Sequence, residues 1–145
     1  MKRKTIGMLL MQLAMAFVGV AFGETFTWKG GTGAFSDVTM WTSTSGGVPV
    51  EGSDLVFPAG DNVVTDVGTL TVNAISLGGN VELQYGSAGG TFTVNGVISG
   101  SGSLTSTGNS AANSITVLKG DNTFTGDYWN NGGQTQVGAC ECAWT

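Results

Sequence analysis

The chain has 145 residues, with 25 glycines, only 10% charged residues and no histidine. Lys2, Arg3 and Lys4 account for three of its five basic residues, so from Glu24 onward Lys29 and Lys119 alone face all ten acids, a formal charge of −8. This balance argues against a nucleic-acid or anionic-membrane partner, which needs clustered Lys and Arg; the missing histidine excludes Ser-His-Asp and Cys-His catalysis and the usual His/Cys zinc sites within this chain.

Residues 1–23 read as a signal peptide. Lys2-Arg3-Lys4 form a positive start, and Ile6 to Phe22 is mostly apolar. Ala21-Phe22-Gly23 places small residues where cleavage before Glu24 would occur. An uncleaved anchor is the competing reading, but the apolar run is short and carries Gln12. The expected product is exported to the periplasm, the cell surface or the medium.

The mature part reads as short strands separated by Gly, Asn and Asp turns. Thr25–Lys29 alternates and predicts a strand, Gly30–Gly33 a turn, and Phe35–Trp41 (FSDVTMW) a second strand. Trp28 and Trp41 are expected to cap one end of a core, with an aromatic sugar-binding platform as the alternative. Ser43–Ser53 reads as a loop. Asp54–Phe57, Asn62–Asp66, Leu70–Leu77, Asn80–Tyr85 and Thr91–Asn95 read as strands. Within Leu70–Leu77 the apolar phase slips at Asn73-Ala74, which fits a corner between two sheets. Further apolar bursts follow at Val97-Ile98, Leu104, Ile115–Leu118 and Phe124. Cys140 and Cys142 stand too close to bridge readily. They are expected as free thiols in a disordered tail, residues 139–145.

Ile75 to Ile98 spans 23 residues and Ile98 to Val117 spans 19. Coils of this length suit a solenoid. The fold expected is all-β: a right-handed parallel β-helix, or solenoid, with an N-terminal capping region at 24–69 and a repeat region at 70–138. A β-sandwich is the alternative. In the β-helix Val, Ile, Leu and Phe point inward, and Thr and Ser face water.

The stretches GVISGSGSLTSTG (Gly96–Gly108), SITVLKGDNTFTG (Ser114–Gly126) and GGQTQVG (Gly132–Gly138) resemble the autotransporter-associated β-strand repeat. Phe26–Trp41, with Trp28 and Trp41, is similar to the tryptophan-bearing opening found ahead of such repeats. The resemblance implies a bacterial, exported passenger of β-helical shape, here a short or truncated member, with a structural or adhesive role. Two positions depart from the repeat pattern. Ser106 stands where lysine is usual, and Asp127–Asn131 replaces a run of small residues, which implies an irregular last coil.

No catalytic, cofactor-binding or metal site is expected. Gly30–Gly33 and Gly100–Ser103 lack the Lys-Ser/Thr of a phosphate loop. Asp54, Asp61 and Asp66, and Asp121 and Asp127, are the only acid groups that glycosidase chemistry could draw on. In Asn/Gly-rich loops such acids ordinarily serve turns. The calcium-binding nonapeptide is missing. The functional expectation is a non-enzymatic structural or adhesive protein meeting surface glycans or proteins, and self-associating through an open β-helix end. The rival is a carbohydrate-binding or carbohydrate-cleaving β-helix using paired carboxylates.

Overall fold

A computed structural model of the chain describes residues 23–108 and 113–138. The expected signal peptide, apart from Gly23, and the expected tail with Cys140 and Cys142 lie outside the described residues. Among those described, no helix is long and apolar enough to cross a membrane.

The fold is a parallel β-solenoid. An opening half-turn contains β1 (Thr25–Trp28) and β2 (Gly31–Ala34). Three full turns follow: β4 (Asp54–Phe57), β5 (Asp61–Val67) and β6 (Leu70–Val72); β7 (Ile75–Leu77), β8 (Asn80–Tyr85) and β9 (Gly90–Val94); β10 (Ile98–Gly100), β11 (Leu104–Thr107) and β12 (Ser114–Leu118). A closing partial turn adds β13 (Tyr128–Asn130) and β14 (Gln134–Val137). Between β2 and β4 lies β3 (Trp41–Thr42). The strands stack into three sheets, ordered β10-β7-β4-β1-β3, β13-β11-β8-β5-β2 and β14-β12-β9-β6. Every pairing is parallel except β1 with β3, so the β-sandwich alternative falls.

Side chains stack in columns because each strand sits in register over the one a turn earlier. Phe26, Leu55, Ile75 and Ile98 form one inward column, each at most 2% exposed. Phe57 and Leu77 continue a second beneath Trp28. The coil from Ile75 to Ile98 is thus a true repeat. The coil expected from Ile98 to Val117 is not: Val117 lies over Thr93 in another sheet. The corner at Asn73-Ala74 falls where expected, between β6 and β7.

The first turn departs most from expectation. Gly31–Ala34 is a strand, held by register with Asn62–Thr65 of β5. Phe35–Trp41 is not one strand. Val38–Met40 forms a short 3-10 turn, opened by Asp37, whose carboxylate accepts from the Oγ1 and N of Thr39, 2.7 and 2.8 Å. Those bonds hold the Asp37 carboxyl below its ordinary range. The turn reverses the chain, so Trp41 returns antiparallel to Trp28. Both rings are buried, at 1% and 4% exposure. They cap the core as expected, and the platform alternative for these two fails.

The open edge of β6 is covered by the loop before β4. Gly52 N donates to Thr71 O, Thr71 N donates to the Glu51 carboxylate, and Asn73 N donates to Ser53 O. Such cover blunts an edge that would otherwise pair with another chain. At the opposite end β13 and β14 each have a hydrogen-bonded neighbour on one side only among the described residues, and Val137 is 74% exposed. The last coil is irregular before Asp127–Asn131 rather than within it: among the described residues no strand between β12 and β13 stacks on β10, whereas Tyr128, Trp129 and Asn130 pair in register with Leu104, Thr105 and Ser106.

The interior turns polar toward that end. Ser106, Ser114 and Thr116 are buried, against the expectation that Ser and Thr face water, while Ile115 and Val117 point the other way and are half-buried. The hydroxyls of Ser106, Thr116 and Tyr85 form a chain, with oxygens 2.6 and 2.8 Å apart. Tyr85 donates its single proton to Ile115 O at 2.8 Å. Thr116 therefore donates to Tyr85, and Ser106 to Thr116, which settles every proton in the chain. Burial pushes the Tyr85 phenol above its ordinary pKa of 10.0, more than its hydrogen bonds lower it. A raised pKa means the folded state keeps a proton that the unfolded state releases. The stability held by this group is present below pH 10 and lost as pH climbs past it. Tyr85→Phe is expected to cost about 1–2 kcal/mol at neutral pH by denaturant titration. It should also flatten the loss of stability above about pH 10.

Candidate functional site

The outer faces of the solenoid are what the fold offers to a partner. The middle sheet of β2, β5, β8, β11 and β13 has the most varied outer face. Its strands alternate, so Val64, Leu83 and Ser106 point in, and their neighbours point out. Register then builds an outward column: Thr32, Val63, Glu82, Thr105 and Trp129. Trp129 is 60% exposed. Tyr128 beside it packs inward against the core, its hydroxyl 2.8 Å from Thr135 Oγ1.

Polar groups flank this column in fixed positions. Glu82 Oε1 accepts from Thr107 Oγ1 at 2.7 Å and from Gln84 Nε2 at 3.0 Å. Glu82 Oε2 has no protein partner among the described residues. Asp61 pairs across strands with Asn80, whose Nδ2 donates to Asp61 Oδ1 at 3.0 Å. Asn80 Oδ1 in turn accepts from Ser103 N at 3.3 Å. Between these groups lies a shallow open hollow of about 290 Å³, lined by Asp61, Val63, Asn80, Glu82 and Thr105 among others. A second hollow of about 230 Å³, mainly apolar, runs along the seam between Phe35, Val48 and Pro49 of the cap and Val67, Leu70 and Phe92.

The acids grouped in sequence are dispersed in space by the coil. Asp54 heads β4 in the first sheet and accepts from Asn73 Nδ2 at 2.7 Å. Asp61 heads β5 in the middle sheet. Asp66 sits at the register shift of β5 with φ +61°. Asp121 and Asp127 flank different corners. Among the described residues no group of three His, Cys, Asp or Glu converges on a point. Gly100–Ser103 ends β10 and turns the chain without opening a helix. Among the described residues the aromatic most open to solvent is Trp129, which the sequence placed only in an irregular stretch. Its alternation with the inward Tyr128 was the available signal.

No family model matches the chain, and neither a curated protein nor a solved structure similar to it was found.

Proposed function

We propose that the chain is an exported, non-enzymatic β-solenoid with a structural or adhesive role, of the autotransporter-associated β-strand repeat kind. The observation that carries this reading is the character of the outer faces. The column Thr71, Thr93, Val117 and Gln136 and the column Thr91, Ile115 and Gln134 are uncharged. So are Thr27, Val56, Ser76 and Ser99 on the first sheet. Extended, level, weakly charged surfaces suit contact over area, whereas catalysis needs convergent groups in a cleft. The repeat resemblance supports the same role, with Ile98 and Leu104 both fully inward at its strand starts.

Partners in this reading are surface glycans or proteins. A second copy docking on the free edges of β13 and β14 is a further one. The opposite end is largely covered, by β3 over β1 and by the loop before β4 over β6, which favours a dimer over a longer stack. The test is adhesion. Beads coated with the full-length chain, exported from a bacterial host, are expected to bind cell surfaces several-fold more than beads coated with an inert β-protein. Equal binding would refute the adhesive role.

A further inference from the structure

We infer that the outer face of the middle sheet is a binding strip for a neutral polysaccharide, with Trp129 as its stacking platform. The inference rests on the adhesive reading and names the partner class for one face.

A singly exposed ring is ordinary on a protein surface; what marks Trp129 is its place in register over Thr105 and Glu82, beside polar groups that are already held. Trp129 lies at the end of a straight column, two strands from Glu82 and so roughly 9–10 Å away. That distance leaves room for one sugar ring on the indole and the next over Thr105 and Glu82. An indole offers an apolar face and a polar edge, matching the two sides of a pyranose. Hydroxyls of the second ring meet groups already held in place. Glu82 is fixed through Oε1 and presents Oε2, and Asp61 and Asn80 are locked to each other. Side chains fixed beforehand lose little entropy when a ligand arrives.

Charge selects the class of polymer. Asp61, Glu82 and nearby Asp127 give the strip acids. Neither lysine of the described chain serves it: Lys29 Nζ donates to Thr39 O at 2.6 Å, and Lys119 follows β12 in another sheet. An acidic polysaccharide would be repelled, and a neutral one pays no such cost.

The test is affinity electrophoresis of the full-length chain through gels containing hydroxyethyl cellulose, mannan or, as the acidic comparison, polygalacturonate. Retardation by at least one neutral polymer and none by polygalacturonate is expected. Trp129→Ala should weaken the retardation about tenfold or more with an unchanged melting temperature. Thr105→Lys, which fills the strip without touching the indole, should weaken it as well. Free migration of the parent through both neutral polymers overturns the inference. If coated beads still adhere to cells in that case, the adhesive reading survives without it. Full retardation of both variants, or stronger retardation by polygalacturonate, also overturns it.

Discussion

Gly102→Ala is expected to lower the melting temperature by more than about 10 °C. The reason is a glycine ladder at the corner between the first and middle sheets. Gly60, Gly79, Gly102 and Gly126 occupy this corner on successive turns. A Cβ on Gly79 would fall 2.2 Å from Gly60 O, one on Gly102 1.8 Å from Gly79 O, and one on Gly126 2.3 Å from Gly102 O. The obstructing atoms are backbone, so no rotamer change relieves the clash. Room appears only if neighbouring turns separate, which strains the bonds from Ser101 N and Gly102 N to Leu77 O, at 3.0 and 3.2 Å. Overpacking plus weakened hydrogen bonds amounts to about 3–5 kcal/mol. Domains of this size hold only about 5–15 kcal/mol in total. The comparison is Gly68→Ala, where a Cβ meets nothing within 4 Å and φ is not positive. That variant should be neutral or gain up to about 1 kcal/mol by restricting the unfolded chain. Calorimetry on both decides the matter: equal melting temperatures would mean that the corner is not tightly stacked.

The ladder also shows what could be read from residues alone. Its spacings follow the coil, from Gly60 to Gly79 to Gly102 to Gly126, and strands such as Asn80–Tyr85 declare themselves by strict alternation. Gly31–Ala34 could not be read, because GTGA has no apolar residue larger than alanine and owes its extended form to β5 alongside it. Ser114–Leu118 was open to two phases. Ile115 and Val117 would serve as an inward pair, yet register with β9 aligns Leu118 with Val94 and turns Ser114 and Thr116 inward. A one-residue slip in a strand exchanges its faces, and only the neighbouring turn decides which is chosen. The candidate strip was hidden for the same reason. Glu82, Thr105 and Trp129 are far apart in sequence, and only the lengths of the intervening coils bring them into one column. Trp28 and Trp41 drew the eye instead, and the structure spends both on the cap.

That cap supports the second large prediction, that Trp41→Ala costs about 3–5 kcal/mol and changes how the protein associates. Trp41 meets Trp28, Phe35, Phe57 and Phe26 with ring centroids 4.8, 5.4, 6.0 and 6.4 Å away. Its Nε1 donates to Phe35 O at 2.9 Å. Removing the indole leaves a cavity at the end of the core and strips a half-buried carbonyl of its partner, two costs that add. The two-residue strand β3 has little else to hold it, since its pairing with β1 is only Thr27 with Thr42 and Trp28 with Trp41. Once β3 loosens, β1 becomes an exposed sheet edge. In the parent this end is largely covered, β1 by β3 and β6 by the loop before β4, and among the described residues β2 is left with a neighbour on one side, which favours pairs; opening β1 as well lets contact continue into longer stacks. Sedimentation over a range of concentrations should show species larger than dimers for Trp41→Ala and none for the parent. Trp41→Phe, which keeps a ring in the aromatic cluster, should recover most of the stability and the parent's association behaviour. If Trp41→Ala stays within about 1 kcal/mol of the parent and sediments identically, the two tryptophans are not what closes this end of the solenoid.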